Sequence, residues 1–158
     1  MLFRSIEAPS RLVAALPSRS IPWTDVGAAH DGSRARAHEP VVAVVIPSYR
    51  VRAHILPLLA RIGPEVAHIF VVDDCCPEGS GDLVIAACRD SRVIVLKHEE
   101  NQGVGGAVLT GYLHALEAGA DIIVKIDGDG QMDPALLPRF IDPIARERAD
   151  YVKGNRFY

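Results

Sequence analysis

From Pro40 onward the chain alternates short runs of β-branched residues with longer stretches whose apolar residues recur every three or four positions. Runs of the first kind fall at residues 41–46, 67–72, 92–97 and 122–126, with a weaker one at 151–153. Their apolarity is continuous rather than alternating, which predicts strands covered on both faces, as in a parallel sheet. Pro47 reads as the stop of the first strand. The intervening stretches predict helices: one reaching residue 62 with Leu56, Leu59 and Ile62 on one face, then 82–89, 104–118 and 134–147. Regular alternation of strand and helix implies an α/β fold with right-handed crossovers. Ligands of such sheets bind beyond the carboxyl ends of the strands. The loops at 47–50, 73–81, 98–106 and 127–134 all belong there.

Residues 1–39 lack this periodicity and contain Pro9, Pro17 and Pro22 among scattered Arg and Ser. They read as a mostly disordered leader with a short helix at 11–16, and residues 40–158 as one domain. An anchoring role for Leu2, Phe3, Ile6 and Trp23 is the weaker alternative. At 158 residues, 49% hydrophobic and 23% charged, the chain has the makings of one globular core. A net charge of −3 argues against a nucleic-acid partner. The three cysteines, Cys75, Cys76 and Cys88, have no metal-ligand spacing and fit a reducing compartment. No apolar run approaches the ~18 residues that cross a bilayer. The chain therefore reads as cytoplasmic, at most peripheral at the inner face of the cell membrane.

Chemistry concentrates after the fourth strand, where Asp127, Asp129 and Asp133 are interleaved with Gly128 and Gly130. Glycines let the backbone curl so that Asp127 and Asp129 converge, and a hard divalent cation would relieve their repulsion. Gln131 adds an amide oxygen, and magnesium or manganese suits such donors together with phosphate oxygens. Taken alone, D-G-D-G is equally the composition of a surface turn. An EF-hand is excluded, because its sixth and twelfth positions would fall on Met132 and Pro138.

Three other loops add to the picture. Asp73 and Asp74 close the second strand, where a carboxylate can accept from a base or ribose or can cap the next helix. Cys75 and Cys76 beside them read as buried thiols. Asn101, Gly103, Gly105 and Gly106 open the third helix, whose free N–H groups can meet an anion; tight helix packing explains the glycines as well. Arg156 follows the last predicted strand and is placed to clamp a phosphate. His54, His68, His98 and His114 read as structural or surface histidines. A receiver domain is disfavoured because the first strand ends in Pro47 and Tyr49 rather than paired acids. A dinucleotide fold lacks its first-loop glycines.

Five segments in order carry a resemblance: V-V-I-P-S-Y-R at 44–50, V-V-D-D-C-C-P-E-G-S at 71–80, N-Q-G-V-G-G-A at 101–107, D-G-D-G-Q at 127–131 and K-G-N-R-F at 153–157. Together they resemble the family-2 glycosyltransferases, and within them the dolichyl- or polyprenyl-phosphate sugar transferases. The resemblance implies the GT-A fold, a three-layer α/β/α arrangement around a mainly parallel sheet. It implies inverting transfer of a sugar from a UDP- or GDP-linked donor to a polyprenyl-phosphate or glycan acceptor, with Mg²⁺ or Mn²⁺. By the same resemblance Pro47 and Tyr49 frame the base and Asp73 binds base and ribose. Asp127, Asp129 and Gln131 match the metal-binding pattern, Asp127, Asp129 and Arg156 serve catalysis, and Arg156 contacts phosphate. Arg50, Asp74, Asn101, Gly103, Gly105 and Lys125 complete the expected substrate-binding set. Position 50 departs from the family's Asn or Glu, and Arg50 brings a cation toward the diphosphate. Family members continue past K-G-N-R-F, so the chain is expected to be a truncated donor-binding half. Its alternative role is a non-catalytic nucleotide-sugar or metal-binding module.

Overall fold

The computed structural model describes residues 39–154. The leader expected over 1–39 lies, apart from Glu39, outside these residues, as does Arg156. Four strands, β1 (Val42–Ser48), β2 (His68–Asp73), β3 (Val93–Lys97) and β4 (Ile122–Lys125), form one sheet of order β3-β2-β1-β4. Every pairing in it is parallel. The helices are α1 (Ile55–Leu59), α2 (Ser80–Ala87), α3 (Gly103–Glu117) and α4 (Leu137–Ala145).

The layers follow from side-chain alternation along the strands. Val42, Val44 and Ile46 of β1 face one side with Ile69 and Val71 of β2, and there α1, α2 and α4 contribute Ile55, Leu58, Val84, Leu137 and Ile141. Ala43 and Val45 face the other side with Phe70, Val72 and Leu96, and α3 covers them through Ala107 and Ala115. Both faces are thus sealed, which is why the strands lack a polar side. The fold is the three-layer α/β/α arrangement. Right-handed crossovers account for the division: β1 to β2 to β3 runs one way across the sheet with its helices on one face. The step from β3 to β4 reverses direction and places α3 on the other. That reversal puts a topological switch point between β1 and β4.

Three expectations are corrected. Pro47 does not end the first strand; β1 runs through it to Ser48, paired there with Asp73. Val45 accepts from Ile126 N on the β4 side (3.0 Å), so by alternation Pro47 faces that side too. The β4 ladder has already ended at the Val45–Lys125 pair, so the missing N–H of Pro47 breaks no bond. The helix expected over 134–147 is divided into a 3-10 turn, Pro134–Leu136, and α4. Pro138 sits in the first turn of α4 and Pro143 near its end, each lacking the donor that a continuous helix needs. Residues 151–153 form no strand: they find no ladder partner among the described residues, and Tyr151 stays 77% exposed.

Contact between α3 and the sheet depends on Gly111. A Cβ there would overlap Cγ1 of Val45, which is itself fully buried in β1. Ala is the better helix former by up to about 1 kcal/mol, but overpacking costs typically about 1–3 kcal/mol. Gly111→Ala is therefore expected to lower stability in chemical denaturation; an unchanged or raised midpoint would show that the layers yield more easily than this packing implies.

Candidate functional site

At the switch point a cavity of about 440 Å³ opens beyond the strand ends. Pro47 and Ser48 wall it from β1 and Tyr49 from the loop that follows, Asp74 from just beyond β2, Asn101 and Gly103 from the entry to α3, and Asp127 and Asp129 from the loop after β4. Its wall also includes Gly128 of the acidic loop, and Val51, Val104 and Ala107, which carry no chemical signal in the sequence.

Gly128 explains how the acidic loop reaches this place. A Cβ on it would sit 3.1 Å from Val51 Cγ2 and 3.2 Å from the Pro47 carbonyl, tighter than an ordinary contact, so glycine lets the loop lie closely against the end of β1. Asp127 forms an ion pair with Lys125 Nζ at 2.5 Å, and Asp129 Oδ1 accepts the Gln131 N–H at 3.0 Å. Lys125 therefore reaches the acidic loop without lining the cavity, and Gln131 is exposed. Asp133 is engaged elsewhere. It accepts from Ala135 N at 2.9 Å and from Arg61 at 2.6 Å, capping the 3-10 turn.

Donor chemistry decides what Asp127 and Asp129 can hold. Among the described residues no three His, Cys, Asp or Glu side chains come together as a metal cage. Two carboxylates on one cavity wall still suit magnesium or manganese, which bind through one or two carboxylates and take the rest from substrate phosphates and water. The residues fit such an ion as a site completed by the ligand.

The adjacent acids at the end of β2, Asp73 within it and Asp74 just beyond, have separate roles because alternation points them to opposite faces. Asp73 is buried, and its two oxygens accept Cys76 N at 2.7 Å and Gly81 N at 2.6 Å. It caps the start of α2, and a Cβ on Gly81 would lie 2.5 Å from its Oδ2. Asp73 is not part of the cavity wall, whereas Asp74 is. Asp74 Oδ1 lies 2.7 Å from His98 Nδ1 and accepts Gln102 N at 2.8 Å, and the Asp74 carbonyl accepts from Asn101 Nδ2 at 3.2 Å. His98 Nε2 meets Thr110 Oγ1 at 2.9 Å. This network joins β2, β3 and α3. The histidine belongs to it because His98 continues the alternation of Ile94 and Leu96 toward α3, the one signal from which it was readable.

The helix-entry glycines differ among themselves. Gly103 has φ +76°, where a side chain is strained, and its N–H is accepted by Asn101 Oδ1 at 3.1 Å. Gly105 is exposed, lies off the cavity wall, and a Cβ there meets nothing within 4 Å.

Tyr49 is half-exposed on the rim, with the Arg50 guanidinium 5.4 Å from its ring centroid, a cation–π distance. Arg50 itself lies off the cavity wall and has φ +55°. Its N–H donates to Cys76 Sγ at 3.1 Å, and Arg52 donates to the carbonyls of Glu78 (3.0 Å) and Gly79 (2.9 Å), so the loops after β1 and β2 are tied twice. Burial of the thiols is corrected in part: Cys88 is buried, Cys76 partly so, and Cys75 is exposed in a left-handed turn at φ +53°. Burial raises the Cys76 thiol's pKa, but the Ser80 hydroxyl and the N–H groups of Arg50, Ser80 and Glu78 outweigh it and hold the thiol below its ordinary value.

Residues 43–158 match the model of Glycosyl transferase family 2. The chain is 38% identical over 119 residues to an undecaprenyl-phosphate mannosyltransferase of Micrococcus luteus, covering 73% of this chain and 48% of that protein. It is 48% identical over 136 residues to the UDP-N-acetylglucosamine–dolichyl-phosphate N-acetylglucosaminyltransferase of Methanococcus voltae, covering 75% of this chain and 53% of that one. The chain spans about half the length of these relatives. Residues 1–349 of S. aureus TarS, solved with UDP, superpose with a TM-score of 0.55 at 20% identity, covering 75% of this chain and 37% of that one, a likeness of fold.

The lowered Cys76 thiol is open to direct titration. Iodoacetamide should alkylate it with a midpoint at lower pH than in the urea-unfolded chain, and Ser80→Ala should raise that midpoint. Equal midpoints in folded and unfolded chain would contradict the hydrogen bonding around the sulfur.

Proposed function

Because the chain belongs to glycosyl transferase family 2, we propose that its cavity binds the nucleoside diphosphate of a UDP- or GDP-linked sugar, and that the sugar passes with inversion to a polyprenyl phosphate. The observation that carries this reading is the meeting of Asp127 and Asp129 with Asp74, Tyr49 and the entry to α3 around one cavity at the switch point. No helix among the described residues is long and apolar enough to cross a membrane. A lipid-phosphate acceptor would bring the chain to the membrane surface as a peripheral protein. The acceptor class comes from the relatives, which are named for undecaprenyl and dolichyl phosphate.

Each residue then has a physical role. Pro47 and Tyr49 frame the base with apolar and aromatic surface. Asp74 accepts an N–H or O–H of the nucleoside; Asp73, with both oxygens already accepting N–H groups, shapes the loop behind it. Asn101 and Gly103 present the start of a 15-residue helix to the phosphates, where its free N–H groups favour negative charge. Asp127 and Asp129, with Gln131 beside them, would hold Mg²⁺ or Mn²⁺. A divalent ion there supplies positive charge against the charge that develops on the departing diphosphate. Lys125 screens Asp127, and Arg50, off the cavity wall but against Tyr49, adds a cation beside the loop; Arg156, outside the described residues, keeps the phosphate role that the family resemblance implies.

In the transfer the anomeric C–O bond to the diphosphate breaks as an acceptor oxygen bonds the same carbon from the opposite face. A lipid phosphate is already an anion at neutral pH, so proton removal by a general base is not required. That agrees with a cavity wall whose acids are Asp74, Asp127 and Asp129, each with a role in binding.

Calorimetric titration of UDP, GDP and their sugar conjugates tests donor binding. Binding is expected with Mn²⁺, to be lost in EDTA, and to weaken about tenfold or more in Asp129→Ala. Binding that ignores both EDTA and Asp129→Ala would remove the acidic loop from the site.

A further inference from the structure

We propose that His98, backed by Thr110, is a positioning residue for Asp74, fixing which carboxylate oxygen faces the nucleotide. The inference rests on the donor-site reading above and extends it to residues that touch no ligand. Asp74 is only 2% exposed, yet it forms part of the cavity wall. Its Oδ1 takes two contacts from the protein side, His98 Nδ1 at 2.7 Å and the Gln102 N–H at 2.8 Å. Among the described residues Oδ2 receives no hydrogen bond in this network, and it is not one of the sealed polar atoms lacking a partner. With Oδ1 held inward, Oδ2 is the oxygen that the cavity can use.

The imidazole behind it is 7% exposed and engaged at both nitrogens. A neutral ring satisfies both contacts in a single tautomer: Nδ1–H donates to the carboxylate, and Nε2 accepts the Thr110 hydroxyl proton. Thr110 sits in α3, and Gln102 precedes the first turn of the same helix. Two elements that a nucleotide would span, the acid at the end of β2 and the N-terminus of α3, are thereby held in one frame. An ionised acceptor steered in this way gains in strength and direction, because a hydrogen bond to a charged group is worth more than a neutral one. Loss of the imidazole would leave Asp74 in place with Oδ1 held by the Gln102 N–H alone and the carboxylate less firmly oriented.

The test uses the full chain with UDP and GDP as probes in Mn²⁺, comparing wild type, Asp74→Asn, His98→Ala, His98→Asn, Thr110→Val and the Asp74→Asn/His98→Ala double variant. Calorimetry and thermal unfolding are read side by side. His98→Ala should weaken nucleotide binding by about tenfold or more, and His98→Asn, which keeps a donor at the Nδ1 position, should recover most of it. Thr110→Val should weaken binding in the same direction and carries the comparison if His98→Ala does not fold. In the Asp74→Asn background, loss of His98 should cost no further affinity, the non-additivity of groups that act as a unit. Imidazole ¹⁵N spectra should show the Nδ1-protonated tautomer in wild type and a displaced Nδ1 signal in Asp74→Asn. Additive losses that track the melting temperature would overturn the positioning role while leaving the donor site standing. A wild type that binds neither nucleotide would overturn the donor-site reading, and the positioning role with it.

Discussion

The central strand outlasts one of its two neighbours, and most of what is distinctive here follows from that. β1 stays paired with β2 as far as Ser48, but β4 leaves it after Val45. Three residues of β1, Ile46, Pro47 and Ser48, therefore have a ladder partner on the β2 side only. A proline can occupy the open side without breaking a ladder bond, and the chain leaving β4 folds back closely against it at Gly128. The reversal of strand order at the same place keeps helices from covering the gap. A cleft is the geometric remainder of these constraints, and its walls are strand ends, which here carry carboxylates.

Carboxylates so placed repel one another and lose hydration unless each is given a partner. Three different arrangements provide one. Asp73 turns inward and accepts two backbone N–H groups, which makes it part of the scaffold. Asp74, one residue later and on the opposite face, shares one oxygen between an imidazole and a backbone N–H. Asp127 borrows the Lys125 ammonium. Only the last two leave a negative group at the cavity wall, and that division separates acids that build the site from acids that can serve it. The loops that carry these groups are held together by weak but redundant ties, a sulfur acceptor for Arg50 and the Arg52 guanidinium across two carbonyls.

How much was legible in the sequence varied with the range of the interaction. Strand and helix alternation was readable because a strand covered on both faces needs continuous β-branched residues such as Val42–Ser48 or Val93–Lys97. The acidic loop was readable as a unit, since glycines at alternate positions are a local signal. Pro47 was misread because its tolerance depends on where a distant strand stops. The 134–147 segment has helical periodicity, but its prolines divide it. Asp73 and Asp74 are alike as letters, and only the alternation set by the neighbouring strand tells them apart. His98 reads as structural or surface, and the choice between the two was not legible because its partners, Asp74 and Thr110, lie 24 positions before and 12 after it. Cys75 was expected to be buried on composition, whereas a left-handed turn holds it outward.

In the function proposed here, nucleoside diphosphate and divalent ion share the cleft where β1 outlasts β4. Paramagnetic broadening of backbone amide signals by Mn²⁺, recorded with and without UDP or GDP, locates that place directly. With nucleotide present, broadening should centre on Asp127 to Gly130 and extend to Tyr49, Asp74 and Gly103, leaving the far ends of the strands sharp. Broadening centred elsewhere, or the same pattern whether or not nucleotide is added, would contradict an ion site completed by the ligand at the switch point.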